Sequence, residues 1–146
     1  MIFTVIQNDQ LHSNAPNEIA RTMGLAVIKM SQDFAMECPD FIIIRECSPT
    51  CLSAAVTACA FCIPVVRVEN TTKPEDMRYC YSIDKLSHLF FVHTGQYERR
   101  LLQMGESRWR VVRSETVPSI SQVIDVINKM NLPKHVYIWK KFQDRG

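Results

Sequence analysis

Glycine is scarce in this chain, with four residues among 146. Phosphate-cradling loops of the Gly-x-Gly-x-x-Gly or Walker type need several glycines within a few positions, so both are excluded. Charge of one sign is lacking too. A formal net charge of +2, with the basic residues scattered, offers no stripe for nucleic acid. Long apolar runs are also missing. The longest, residues 51–66, is short of the ~20 residues that span a bilayer and is broken by Ser53, Thr57 and Pro64. No membrane partner is expected. Residues 1–10 have no basic lead-in and no small-residue cleavage site, which argues against a secretory signal and for a cytoplasmic chain.

What is present is ordinary for a soluble globular domain: 47% hydrophobic and 22% charged residues, enough chain for a single core. The six cysteines raise the question of a metal site. Cys47, Cys51, Cys59 and Cys62 lie in or beside one apolar segment. A single helix cannot fold back to bring two cysteine pairs around one ion, and tetrahedral sites need separate chain passes. The expectation is free, buried thiols, with no metal and no cofactor.

Strand and helix signals alternate along the chain. Residues 2–6 form a short apolar run suited to a strand. A helix over 16–37 starts at Pro16 and carries Ile19, Met23, Val27, Met30 and Phe34 on one stripe. Phe41–Ile44 is apolar at every position, as in a strand buried on both faces. Ser48-Pro49 reads as an N-cap followed by proline at the first helical position, opening a helix to about Phe61. A strand follows over 64–68, then a helix from a Thr72/Glu75 capping box to about Ser87. Leu89–Val92 is the next strand, Thr94 caps the next helix, and Gly105 ends it in the left-handed region. Residues 109–112 read as a strand, and 118–130 as a helix with Ile120, Val123, Ile124, Ile127 and Met130 inward. Residues 136–139 close the series. This alternation predicts a mostly parallel, doubly wound, Rossmann-like α/β sheet. Ligands bind outside the carboxyl ends of such strands, which places the segments after Ile44, Val68 and Val92 on the binding edge.

Several short motifs occur in order along this framework. They are Thr22-Met-Gly-Leu25, Pro39-Asp40 before the buried strand, Ile63-Pro-Val65 with Val68-Glu69, and Pro74-Glu75 before Arg78. The stretch 83–106 follows, Ile83-Asp-Lys-Leu-Ser-His-Leu-Phe-Phe-Val92 and then Glu98-Arg-Arg-Leu-Leu-Gln-Met-Gly-Glu106. Asn131-Leu-Pro-Lys134 and Val136-Tyr-Ile138 come last. Together they resemble the UDP-N-acetylglucosamine 2-epimerase family, especially its hydrolysing, sialic-acid-pathway branch. The resemblance implies a partial first domain of a glycosyltransferase-B type fold over 1–112. It implies a linker, a helix and the start of a truncated second domain over 113–146. It also implies amino-sugar chemistry: loss of the sugar C2 proton, expulsion of UDP, and water addition to give N-acetylmannosamine. Carboxylates suit such proton transfers.

By this resemblance Glu69 and Glu75 are the catalytic candidates, with Arg78, Cys47 and Ser48 as substrate contacts, and His93 joins them because it follows a strand on the binding edge. Each has a plainer reading. Glu75 is equally the third residue of a capping box, and Arg78 a solvated helix residue. His88 reads as a packing or helix-terminus residue. The chain also departs from the family pattern. Glu46, Cys47 and Ser48 stand where the family has Gly-Asp-Arg or Gly-Asp-Thr. Arg67 replaces a histidine, Asn70-Thr71 replace Gly-Gly, and Tyr79 replaces another histidine. The expectation is therefore an epimerase-like domain with impaired catalysis, whose small-molecule partner is a UDP-sugar and whose protein partner is a second copy or a full-length epimerase. The alternatives are a non-catalytic interaction module or a domain that holds a nucleotide-like ligand without turning it over.

Overall fold

The computed structural model describes residues 2–6, 14–70 and 76–130. The elements run β1 (Phe3–Val5), α1 (Pro16–Met36), β2 (Phe41–Ile44), α2 (Pro49–Ala60), β3 (Val65–Val68), α3 (Met77–Leu86), β4 (Leu89–Val92), α4 (Gly95–Gln103), β5 (Val111–Arg113) and α5 (Ile120–Lys129). All strands are parallel and lie in the order β1-β2-β3-β4-β5. Every residue of β2, β3 and β4 is buried, as continuous apolar runs require when both faces are covered.

Alternation along the strands sorts the core into two layers. Ile42, Ile44 and Val65 pack with Phe34 of α1, the small residues of α2, and Ile83 of α3. Phe90 and Val92 continue this face against Tyr97 and Leu101 of α4. On the other face Phe41, Ile43, Val66, Val68, Leu89 and Phe91 meet Val123 and Ile127 of α5. Helices therefore cover both faces, with α1–α4 on one side and α5 on the other. The strand order advances without reversing among the described residues, which is why the crossover helices share a face.

Most helix boundaries follow the local chemistry read from sequence. The stripe on α1 faces inward, Ser48 accepts from the Cys51 N–H, and Thr94 accepts from the Tyr97 N–H. Gly105 ends α4 with φ 91°. Two boundaries differ. The helix expected from Thr72 starts at Met77, capped by Asp76, while Thr72 and Glu75 lie outside the described residues. The strand expected over 109–112 begins only at Val111, because Arg108–Arg110 form a 3₁₀ turn. That turn carries the Arg110 side chain inward, where Nη1 donates to the His88 carbonyl at 3.1 Å. A β-propensity reading of Trp109 could not see this tertiary contact. The strand expected over 136–139 lies outside the described residues.

Cys62 stands where a glycine is usual. It follows the α2 cap with φ 57°, while its N–H donates to the Cys59 carbonyl at 3.2 Å and the Ile63 N–H to the Ala58 carbonyl at 2.8 Å. A β-carbon in this left-handed position is strained, and the Cys62 thiol is free and exposed. Replacing Cys62→Gly is expected to stabilise the fold by roughly 0.5–1 kcal/mol, read as a raised urea midpoint at unchanged slope.

Candidate functional site

Because the strands are parallel, the turns that follow them gather at one edge, where α2, α3 and α4 begin. The turn after β3 holds Glu69. Its Oε1 accepts from Thr94 Oγ1 at 2.6 Å, and its Oε2 accepts from the Thr94 N–H at 2.9 Å and from the His93 N–H. Thr94 Oγ1 in turn accepts from the Tyr97 N–H at 3.3 Å. A carboxylate offers about four lone-pair positions, and Glu69 has three of them engaged. Its first task is to fasten the β4–α4 turn.

His93 lends its main-chain N–H to Glu69, and its buried Nδ1 has no hydrogen-bond partner among the described residues. Ser48 is engaged as the α2 cap, its Oγ accepting from the Cys51 N–H at 3.1 Å. Cys47 is joined to Cys80 of α3, with the Cα atoms 5.1 Å apart. Only Cys51 of the remaining thiols is buried; Cys38, Cys59 and Cys62 are exposed. The expectation of free, buried thiols in the 47–62 segment is corrected accordingly for Cys47, Cys59 and Cys62. Sequence spacing gave no sign of the pair, because α2 and α3 meet only through the tertiary core. Arg78 is an exposed residue paired with Asp76, Nη2 to Oδ2 at 2.6 Å, which holds the Asp76 carboxyl below its usual range. It is not among the residues that line the cavity described next.

A cavity of about 640 Å³ opens between α3 and α4, lined by Arg67, Glu69, Asn70, Thr94, Tyr97, Arg99 and Arg100, with Met77 and Tyr81 on the α3 side. Its floor is a buried charge cluster. Asp84, wholly buried, lies 3.3 Å from Arg67 Nε and 3.2 Å from Arg100 Nη2. The Tyr97 hydroxyl donates to Asp84 Oδ1 at 2.7 Å. Arg67 also donates from Nη1 to the Val68 carbonyl at 2.9 Å and from Nη2 to Cys47 Sγ at 2.8 Å. Arg67 and Arg100 thus meet the Asp84 carboxylate beneath the cavity, and guanidinium is the side chain best matched to phosphate and carboxylate groups. Burial pushes the Tyr97 phenol well above its usual value, the Arg67 charge opposing and Asp84 adding to the rise.

Sequence reasoning noted Arg67 only as a replaced histidine and passed over Asp84 and Arg100. One signal was available: an arginine inside the run Val-Val-Arg-Val, flanked by strands of pure apolar residues, must find a buried counter-charge. His88 behaves as a packing residue. Its Nδ1 accepts from the Val65 N–H at 3.1 Å, and its own N–H donates to the Val65 carbonyl at 2.8 Å. No group of three or more His, Cys, Asp or Glu poised for a metal occurs among the described residues. No helix among them is long and apolar enough to cross a membrane.

A parallel α/β sheet with helices on both faces and a cavity at its carboxyl edge defines a Rossmann-like domain. Residues 3–127 match the family model for UDP-N-acetylglucosamine 2-epimerase, and the chain belongs to that family. It is 33% identical over 120 residues to a GDP/UDP-N,N'-diacetylbacillosamine 2-epimerase (hydrolyzing) of Campylobacter jejuni, covering 80% of this chain and 31% of the relative. It is 30% identical over 92 residues to a UDP-N,N'-diacetylbacillosamine 2-epimerase (hydrolyzing) of Legionella pneumophila, covering 62% and 24%. The chain thus spans less than a third of the length of the curated relatives it matches. In fold it is similar to the UDP-GlcNAc 2-epimerase from Neisseria meningitidis bound to UDP-GlcNAc, with TM-score 0.61 and 18% identity over 81% of this chain and 34% of that one. It is also similar to the UDP-N-acetylglucosamine 2-epimerase from Rickettsia bellii, with TM-score 0.57 and 22% identity over 82% and 32%.

Removing the shared counter-ion should be severe. Asp84→Ala strands two arginines and is expected to cost about 3–5 kcal/mol, measured by urea unfolding. Tyr97→Phe loses one charge-assisted bond, about 1.5–3 kcal/mol at neutral pH. The pH dependence has a definite sign. With the folded pKa raised above the unfolded value near 10, the neutral phenol's contribution is fully present below about pH 10 and is lost as pH rises toward the folded value. The stability gap between wild type and Tyr97→Phe should therefore narrow from about pH 10 upward, as read by melting temperatures across pH 7–11.

Proposed function

We propose that this chain is the first-domain part of a hydrolysing 2-epimerase for UDP-linked 2-acetamido sugars. It receives the nucleotide sugar at the carboxyl edge of the sheet and needs a second domain for turnover. The cavity over the Arg67–Asp84–Arg100 cluster carries the reading, because it lies within the family match and offers positive charge where a diphosphate ester would seat. UDP-N-acetylglucosamine is the first substrate to test, and the diacetylbacillosamine nucleotide is the second, after the names of the two relatives. We place the sheet and its helices through α5 in the sugar-facing unit, because Val123 and Ile127 complete its core. The setting we infer is cytoplasmic amino-sugar metabolism of the sialic-acid type. In this reading Glu69 is the acid–base candidate and Arg99 an exposed contact to the ligand, with Glu75, Arg78, Ser48 and His93 as secondary candidates around the edge.

A second reading, binding without turnover, is favoured by one observation. Glu69 and Cys47, the residues closest to the family's catalytic carboxylates in order, are both already engaged, one in the β4–α4 turn and one with Cys80. General-base catalysis, worth about 10²–10⁴-fold, needs a base free to take the proton.

Titration calorimetry of the whole chain with UDP-N-acetylglucosamine and with UDP, beside an assay of released UDP, tests both readings. Binding of both nucleotides without UDP release is expected, and Arg99→Ala should weaken binding roughly tenfold through loss of one charge-assisted contact. Failure of a folded chain to bind either nucleotide would remove the epimerase-domain reading. UDP release abolished by Glu69→Gln would show that the chain turns substrate over alone.

A further inference from the structure

We propose that Cys47 and Cys80 form a reversible dithiol/disulfide couple, with Cys47 as the attacking thiol and a low-molecular-weight disulfide such as oxidised glutathione as its reaction partner. The proposal stands on geometry alone and does not depend on the epimerase reading.

The two thiols are built for each other. Their Cα atoms lie 5.1 Å apart, inside the range a disulfide bridges without backbone movement. They differ in setting. Cys80 is wholly buried in α3, whereas Cys47 is half-buried in the turn after β2, so a small disulfide can approach only Cys47. Cys47 also directly precedes Ser48, the N-cap of the 12-residue helix α2, where the helix dipole favours an anion. Arg67 Nη2 donates to Cys47 Sγ at 2.8 Å. A cation and a helix N-terminus acting on one sulfur are the two features that turn a thiol into a thiolate nucleophile. The charged and titratable groups around it are Arg67 of β3, Asp84 and Cys80 of α3, Tyr79 beside it in the core, and Glu46 and Cys51 on its own segment. Asp84 is already held by two arginines, so Arg67 is the charge that acts directly on the sulfur.

The chemistry balances in two exchanges. The Cys47 thiolate attacks one sulfur of the small disulfide, forming a mixed disulfide and expelling one thiolate, which takes a proton from water. Cys80, having lost its proton to solvent, attacks Cys47 Sγ. The Cys47–Cys80 bond forms and the second small thiol leaves. The protein dithiol is oxidised by two electrons, and one small disulfide is reduced to two thiols. Cys51 does not compete, because burial pushes its thiol up. Cys38, Cys59 and Cys62 are free, exposed thiols, and none is hydrogen-bonded to an arginine among the described residues. Oxidation joins the β2–α2 turn to α3, whose Met77 and Tyr81 line the cavity. The couple therefore fixes one wall of the ligand site.

The experiment equilibrates the full chain with reduced and oxidised glutathione at several ratios, then traps thiols and maps peptides. The expected result is a Cys47–Cys80 peptide that appears and disappears with the ratio, together with a melting temperature about 10 °C higher in the oxidised form. Cys80→Ala should accumulate a single glutathione adduct on Cys47, alkylated with a midpoint at least one unit below the ~8.5 of a free thiol. If Cys80→Ala does not fold by circular dichroism, Cys80→Ser takes its place, and the wild-type mapping stands regardless. Adducts confined to Cys38, Cys59 or Cys62 would overturn the proposal. So would a Cys47–Cys80 bond that survives excess dithiothreitol in the folded chain, or an alkylation midpoint at the ordinary thiol value.

Discussion

The ion pair between Arg67 and Asp84 is the constraint around which the upper half of this domain is arranged. Neither side chain reaches solvent to any useful extent. A charge carried into such a setting is tolerated only when paired and hydrogen-bonded on its remaining positions. Arg67 meets this through Asp84, two main-chain carbonyls and Cys47 Sγ. Asp84 meets it through Arg67, Arg100 and Tyr97. The contacts draw on β2, β3, α3 and α4 at once. A pair of this kind adds little net stability over a well-packed apolar alternative, but it allows few other arrangements of those elements. Its value lies in fixing where the carboxyl-edge turns stand relative to one another.

That fixing reaches the candidate site by two routes. Through Tyr97 and Arg100 the cluster sets the position of α4, and Arg100 stacks over the Tyr97 ring at 4.5 Å and the Tyr81 ring at 5.2 Å, joining α4 to α3 across the cavity. Through Arg67 it touches the turn that holds Cys47. Glu69 adds a third fastening between β3 and the start of α4. Glu69 and Cys47, candidates by family resemblance, are therefore also structural ties of the edge. A side chain with both duties can be moved little without disturbing the turn it holds.

The fold was largely legible because its signals are local. Four-residue apolar runs bounded by turn residues gave β2 and β4, and a run apolar but for Arg67 gave β3. Ser48-Pro49, Thr94 and Gly105 gave helix ends through hydrogen bonds within a few residues of themselves. The site was less legible because its decisive contacts are distant in sequence. Arg67 and Asp84 are brought together by a crossover, and Cys47 and Cys80 by packing of α2 against α3. Neither meeting leaves a periodic trace. Trp109 shows the same limit at smaller scale. Its neighbour Arg110 turns inward to the His88 carbonyl, and the strand gives up its first residues to make that reach.

The second face of the sheet carries a further consequence. Phe41, Ile43, Val66, Val68, Leu89 and Phe91 present an apolar surface that water would meet if α5 were absent. Val123 and Ile127 cover it, anchored by a full capping box between Ser119 and Gln122. The polar stretch 113–118, which reads from sequence as the start of a linker, is thus followed at once by a helix that the sheet needs for its own core. Residues 119–130 belong physically to the sheet unit whatever follows them along the chain, because removing them would uncover the underside of its three central strands.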